Sequence, residues 1–236
     1  MFKDKIVLIT GGSSGIGEAT ALLFAQNGAD IVITYKSNES GAEEVINRVK
    51  ELGRKAMSIK ADLIKERQAR KVVEKTLKEF GKIDVLVNNA GRYIDGDEWN
   101  GTSKIWIKSL GQNLVSMMSV SKYVIEVFQK QKSGVIVNVA SRYSFEGQFD
   151  SISYAASKAG VVNITHGYAK LLSPWGRANT VSPSAVRAGY WLTAPKEELE
   201  KKENRLIQPE SVAKKILFLA SDEAKDINGQ NFPVTE

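Results

Sequence analysis

Tyr154 and Lys158 stand four residues apart in Tyr154-Ala-Ala-Ser-Lys158, within a helical pattern over 151–173. That spacing brings both side chains out on one helix face. A free phenol has a pKa near ~10 and releases few protons at neutral pH. A neighbouring ammonium favours the phenolate, and a shift of roughly three units takes about 4 kcal/mol of differential stabilisation. Such a pair suits proton transfer to and from an alcohol oxygen. The spacing alone also fits an ordinary surface pair on a helix. Ser141 follows the apolar run 134–140, where its hydroxyl can orient a substrate oxygen and stabilise developing negative charge. A serine that merely ends a strand would look the same. Asn113 lies inside the helical stretch 102–131, where asparagine is mildly unfavourable. The single histidine, His166, falls three turns beyond Tyr154 and out of its reach.

A second group of residues suits an anion. Thr10-Gly11-Gly12-Ser13-Ser14-Gly15-Ile16-Gly17 follows an apolar run and opens an amphipathic stretch. Glycines let the backbone turn sharply and let a pyrophosphate approach without interference from a Cβ. Exposed N–H groups and the helix dipole then favour the anion. A tight strand-to-helix connection would use the same residues, and the pattern is not the GxGxxG dinucleotide fingerprint.

The elements that must position these residues alternate along the chain. Runs at 5–10, 30–35, 55–60, 83–88, 134–140 and 177–182 read as strands, with a weaker one at 230–234. Helical patterns lie near 15–27, 40–53, 65–79, 102–131, 151–173 and 209–220. This order predicts an α/β fold: a single-domain, Rossmann-type doubly wound sheet of about seven mostly parallel strands covered by helices. Its ligands would sit at the carboxyl ends of the strands. The stretch 184–206, loop-like and then heavily charged, is the exception and reads as a substrate lid over that edge.

Composition excludes several alternatives. The chain has 236 residues, 42% hydrophobic and 25% charged, which suits one substantial domain. It has no cysteine, so disulfides, thiolate catalysis and cysteine-held metal centres are excluded, and one histidine leaves no His-rich metal site. No metal is expected. No apolar run approaches the roughly 18 residues of a membrane span. Ile6-Val7-Leu8-Ile9 already reads as a strand, leaving no room for a signal peptide and pointing to the cytoplasm. The net charge of +6 is mostly interleaved with acids, as in Lys196-Glu197-Glu198-Leu199-Glu200-Lys201-Lys202-Glu203, so neither nucleic acid nor membrane is an expected partner.

The glycine turn, Asn88-Asn89-Ala90-Gly91, Asn113, Ser141 and Tyr154-Ala-Ala-Ser-Lys158 occur in the order and spacing of the short-chain dehydrogenase/reductase family. The chain resembles that family over nearly its whole length, in the branch of 3-oxoacyl-carrier-protein reductases and glucose dehydrogenases. The resemblance implies a hydride transfer between a nicotinamide cofactor and a carbonyl or alcohol substrate. It implies catalytic roles for Asn113, Ser141, Tyr154 and Lys158, with Tyr154 as acid/base, Lys158 also on the nicotinamide ribose, and Asn113 supporting a proton-relay water. It implies cofactor contacts from Gly11, Ser13, Ser14, Gly15, Ile16, Tyr35, Lys36, Ser37, Asp62, Leu63, Asn89, Ala90, Gly91, Pro183, Ser184 and Val186, besides Tyr154 and Lys158. Asp62 would meet the adenine amino group; an N-cap for the following helix is its other reading.

Cofactor choice turns on the end of the second strand, where an NAD site places an acid against the ribose 2′-OH. Tyr35 occupies that position, so no carboxylate repels a 2′-phosphate, and Lys36, Ser37 and Asn38 offer charge and hydrogen bonds. NADP is the expected cofactor, with NAD possible if Lys36 is only a solvated loop lysine. The chain departs from the family after the sixth strand, where Ser184 replaces a glycine and Ala188 a threonine. Strain at Ser184 and a lost hydrogen bond would weaken cofactor binding. Pro233 lacks a ladder donor and predicts an edge strand or its early end. The long helices would form a homodimer or, less securely given the short tail, a homotetramer. The alternative function is a cofactor-binding regulator or scaffold of the same fold with little turnover.

Overall fold

The computed structural model describes residues 1–192, 194, 196–202 and 205–235, leaving aside the side chains of 190, 198, 201 and 202. Seven strands form one sheet: β1 (Ile6–Ile9), β2 (Asp30–Tyr35), β3 (Ala56–Lys60), β4 (Val85–Asn88), β5 (Gly134–Val139), β6 (Gly176–Pro183) and β7 (Asn231–Val234). Every pairing is parallel and the spatial order is β3-β2-β1-β4-β5-β6-β7. The expected doubly wound architecture is therefore present as a single domain. β7 lies at the sheet edge and carries Pro233 opposite Ser182, where the missing N–H interrupts no inner ladder.

The strands divide their side chains between two cores, because successive residues point to opposite faces. Val7 and Ile9, Ile31 and Ile33, Val85 and Val87 enter one core. There they meet Phe24 of α1 (Gly15–Gln26), Val45 and Val49 of α2 (Glu39–Glu51), and Ile216 and Leu219 of α8 (Pro209–Ala220). Leu8, Val32, Leu86 and Ile136 enter the other. That face is covered by Val72 of α3 (Glu66–Phe80), Val124 and Phe128 of α5 (Ser116–Gln131), and Leu172 of α6 (Ile152–Leu172). Burial on both faces explains why these strands read as apolar runs rather than alternating patterns.

The chain leaves β1 towards β2 and β3, then returns to place β4 on the other side of β1. The connections after β1 and β4 therefore diverge, opening a crevice at their carboxyl ends. The predicted helix 102–131 is α4 (Ser103–Leu110) and α5 joined by a π-helical turn, Gly111–Val115. Such turns widen the helix locally and free a backbone partner. The segment 184–206 contains a 3-10 turn, Gly189–Leu192, and α7 (Lys196–Lys202); residues 193, 195, 203 and 204 of the expected lid lie outside the described residues. Its base is closed by a parallel bridge between Val186 and Ile207. No helix among the described residues is long and apolar enough to cross a membrane.

Candidate active site

The carboxyl edge of the sheet gathers the residues singled out from the sequence. The glycine turn follows β1, with Gly11 at φ +65° and Gly15 at φ +57°, conformations that glycine adopts without a Cβ penalty. A Cβ on Gly17 would collide with the Gly11 carbonyl, so the turn also needs that glycine for close packing. Thr10 and Asn89 brace it across the crevice. The Thr10 hydroxyl accepts from the N–H groups of Asn89 and Ala90, each at 3.0 Å, and the Asn89 amide donates to the carbonyls of Thr10 and Gly11 at 3.0 and 2.9 Å. Ser14 is the N-cap of α1 but makes no side-chain cap hydrogen bond. Leu63 and Val186 are buried in the cores, and Ile16 packs against one of them while staying partly exposed.

At the end of β2 the sequence expectation needs correction. Tyr35 is buried and its hydroxyl donates to Glu39 at 2.8 Å; Glu39 in turn pairs with Lys60 at 3.3 Å. Lys36 forms an ion pair with Asp62 at 3.1 Å. The absence of an acid at position 35 thus does not leave the region free of carboxylates, because two arrive from other elements. Asn38 is committed as well: it caps α2 by accepting from the Gly41 N–H and donates to the Ser13 carbonyl at 3.0 Å. Asp62 does not cap the next helix, whose N-cap is Lys65. Ser37 remains exposed.

Across the crevice, Tyr154 and Lys158 occupy consecutive turns of α6. The Ser141 side chain lies near enough to the Tyr154 hydroxyl to favour its ionised form, and its oxygen accepts from the Tyr143 N–H at 3.2 Å. Tyr143 meets the Tyr154 ring edge-on, with centroids 6.4 Å apart. Lys158 is buried, donates to the Val139 carbonyl at 2.9 Å, and holds its Nζ 5.6 Å from the centre of the Tyr154 ring. The ammonium therefore does not bond the phenol. Tyr154 keeps part of its surface open, yet burial pushes its hydroxyl up to about 12, opposed only by the nearby Ser141 side chain. Burial holds Lys158 down to about 8. The lowered phenol expected from the four-residue spacing is absent, because desolvation exceeds attraction from an amine that points elsewhere.

Asn113 sits in the π-helical turn, buried, with its amide donating to the carbonyls of Arg92 at 2.9 Å and Ser109 at 3.0 Å. Its Oδ1 is buried and unpartnered. A Cβ on Gly91 would lie 2.5 Å from that oxygen and 3.4 Å from Lys158 Nζ, so both groups converge over a residue that must be glycine. Ser184 follows Pro183 at the end of β6; its N–H donates to Val234 and its hydroxyl is buried without a partner. The strain expected at Ser184 does not arise: among described residues the non-glycine positions with positive φ are Asp4 and Lys132. Ala188 packs over the glycine turn, where a Cβ on Gly15 would come within 2.9 Å of its own.

Sequence reasoning missed Asp97 and Glu39, and gave Thr10 a place in the glycine turn but not its bracing role. Asp97 is fully buried and bonds the first turn of α6 across 56 and 57 residues, a separation at which no local pattern signals contact.

Comparison with known proteins decides the family. A short chain dehydrogenase model matches residues 5–204. The chain belongs to the short-chain dehydrogenase/reductase family. It is 37% identical over 234 residues to a 3-oxoacyl-[acyl-carrier-protein] reductase FabG of Thermotoga maritima, covering 97% of this chain and 95% of the relative. The solved structure of levodione reductase superposes with a TM-score of 0.94 at 29% identity, covering 100% of this chain and 97% of the other. An NAD+-bound xylitol dehydrogenase gives 0.91 at 26% identity, covering 99% and 98%. This short-chain dehydrogenase/reductase is thus an oxidoreductase that transfers a hydride between a nicotinamide cofactor and a carbonyl or alcohol group. The site suits such a cofactor: the glycine turn at an uncapped helix start accommodates a pyrophosphate, and the unpartnered Asn113 Oδ1 and Ser184 hydroxyl are free to bond.

Proposed function

We propose that the protein is an NADP-dependent carbonyl reductase or alcohol dehydrogenase in which Tyr154 is the acid/base. The observation that carries this reading is Tyr154 on α6 beside Ser141 at the carboxyl end of β5, with the Lys158 amine 5.6 Å from the phenol ring centre one turn behind it. When bound, the nicotinamide supplies or accepts the hydride. In the reducing direction Tyr154, kept neutral by burial, gives its proton to the forming alkoxide oxygen. Ser141 orients that oxygen and stabilises its charge. Lys158, held down to about 8, exchanges its proton near neutral pH and restores the donor. Asn113 Oδ1 holds the water that links the amine to solvent, and Lys158 also bonds the cofactor ribose.

Gly11, Ser13, Ser14, Gly15 and Ile16 cradle the pyrophosphate, while Asn89, Ala90 and Gly91 line the adenosine ribose. Tyr35, Lys36, Ser37, Asp62 and Leu63 surround the adenosine end; Pro183, Ser184 and Val186 meet the nicotinamide. Lys36 at the end of β2 is the cation that meets a 2′-phosphate and so favours NADP over NAD, in competition with its ion pair to Asp62. The segment 184–206, closed at its base by the Val186–Ile207 bridge, is the substrate lid. Val115, Met118 and Leu171 leave an exposed apolar face on α5, α6 and the π-helical turn, which a second copy covers to form a dimer.

The test is a panel of small carbonyls followed at the nicotinamide absorbance, with wild type and Tyr154→Phe side by side. Wild-type turnover and a loss of roughly 10²- to 10⁴-fold in the variant support the assignment. Full activity in the variant removes Tyr154 from the mechanism.

A further inference from the structure

Helix α6 begins without a cap of its own. Ser151, its N-cap, makes no side-chain cap hydrogen bond, although the first turn of any helix leaves backbone N–H groups without intrahelical partners. Asp97, from the loop between β4 and α4, meets them. Its carbonyl accepts from the Ile152 N–H at 2.9 Å. One carboxylate oxygen accepts from the Ser153 N–H at 3.0 Å and the Ser153 hydroxyl at 2.5 Å. The other accepts from the Tyr154 N–H at 2.7 Å and the Ser109 hydroxyl at 3.2 Å. Ser109 in turn receives the Asn113 amide on its carbonyl.

From these contacts we infer that Asp97 is a positioning residue for the reaction: it anchors the turn bearing Tyr154 and ties it, through Ser109, to Asn113. The inference rests on Tyr154 being the acid/base. A local serine cap would suffice for helix stability. Asp97 instead bonds the backbone of the reacting residue itself and joins two arms of the site through one fully buried group. Only a carboxylate meets all four donors, since both of its oxygens accept and neither donates. An amide has the same shape but must turn its NH2 towards either the Ser153 pair or the Tyr154–Ser109 pair, opposing donor to donor. Asp97→Asn therefore keeps the volume and breaks half the anchor.

Two readouts test this. In the ligand-free protein, hydrogen exchange at the Ser153 and Tyr154 amides should quicken by about tenfold or more in Asp97→Asn, with β1 and α1 unchanged. In steady state, kcat should fall by about 10- to 100-fold, as for a small displacement of a reacting group, while KM for carbonyl and cofactor stays within about threefold. Unchanged exchange overturns the proposal, as does faster exchange with kcat intact, which would leave only a helix cap. A parallel decline of kcat, cofactor affinity and folded fraction also overturns it. Should Asp97→Asn not fold, the double variant Ser109→Ala, Ser153→Ala keeps the carboxylate and should still lower kcat by about tenfold; an unchanged kcat there refutes the role. If wild type turns over no carbonyl, the assignment of Tyr154 fails, whereas the exchange measurement still decides whether Asp97 holds the turn.

Discussion

Lys158 is held about 2.5 units below the free lysine value of 10.5, at about 8, because its amine is desolvated. Between those two values the unfolded chain binds more protons than the folded one, so stability rises with pH. Below about pH 8 the amine is charged in both states and the burial penalty is fully present; above it the folded state sheds the proton first. From about pH 7.5 to about pH 9.5 the relief amounts to about 2 kcal/mol. Tyr154 has the opposite sign, since its folded value of about 12 lies above the free value of 10.0, and its stabilisation is lost only from pH 10 upward. It stays outside the window. Urea unfolding of the ligand-free protein at both pH values, beside Lys158→Met, isolates the effect because other groups cancel in the difference. The free-energy gap between wild type and variant should move by about 2 kcal/mol in favour of wild type at the higher pH. A gap that moves by less than about 0.5 kcal/mol would show that the amine is not held down, and would remove it as a proton source near neutral pH.

Other measurements bear on the remaining residues. Lys36→Ala should raise KM for NADPH by about tenfold while leaving NADH within about twofold, read from initial rates with each cofactor. Gly17→Ala brings a methyl against the Gly11 carbonyl and within 2.7 Å of Asn89 Nδ2. It should cost about 1–3 kcal/mol by thermal or urea unfolding and weaken cofactor binding more than tenfold by fluorescence titration. Met118→Glu combined with Leu171→Glu places charge on the exposed apolar face, and should convert the proposed dimer to a monomer by sedimentation without changing its far-UV circular dichroism.

Local physics was enough for the scaffold. Runs such as Ile6–Ile9 and Gly134–Val139 were legible because a doubly covered parallel strand is apolar along its length, and the helices between them because one stripe faces a core. The glycine turn and the Tyr154–Lys158 spacing were legible for a similar reason: both are properties of consecutive residues. The order of the strands then placed Ser141, Asn89 and the glycine turn at one edge, as an alternating pattern predicts. What escaped the sequence was whatever depends on distant partners. Position 35 carries no carboxyl, yet Asp62 from beyond β3 is folded against Lys36. Spacing put an amine beside a phenol; the fold aimed that amine at Val139 and made desolvation the larger effect. Asp97 gave no signal at all, because a lone acid in a loop becomes an anchor only once the turn it holds is brought to it. Residue type and spacing settle which elements form and which groups can react; burial and the direction of each hydrogen bond, which set the charge and reach of those groups, exist only when the chain is packed.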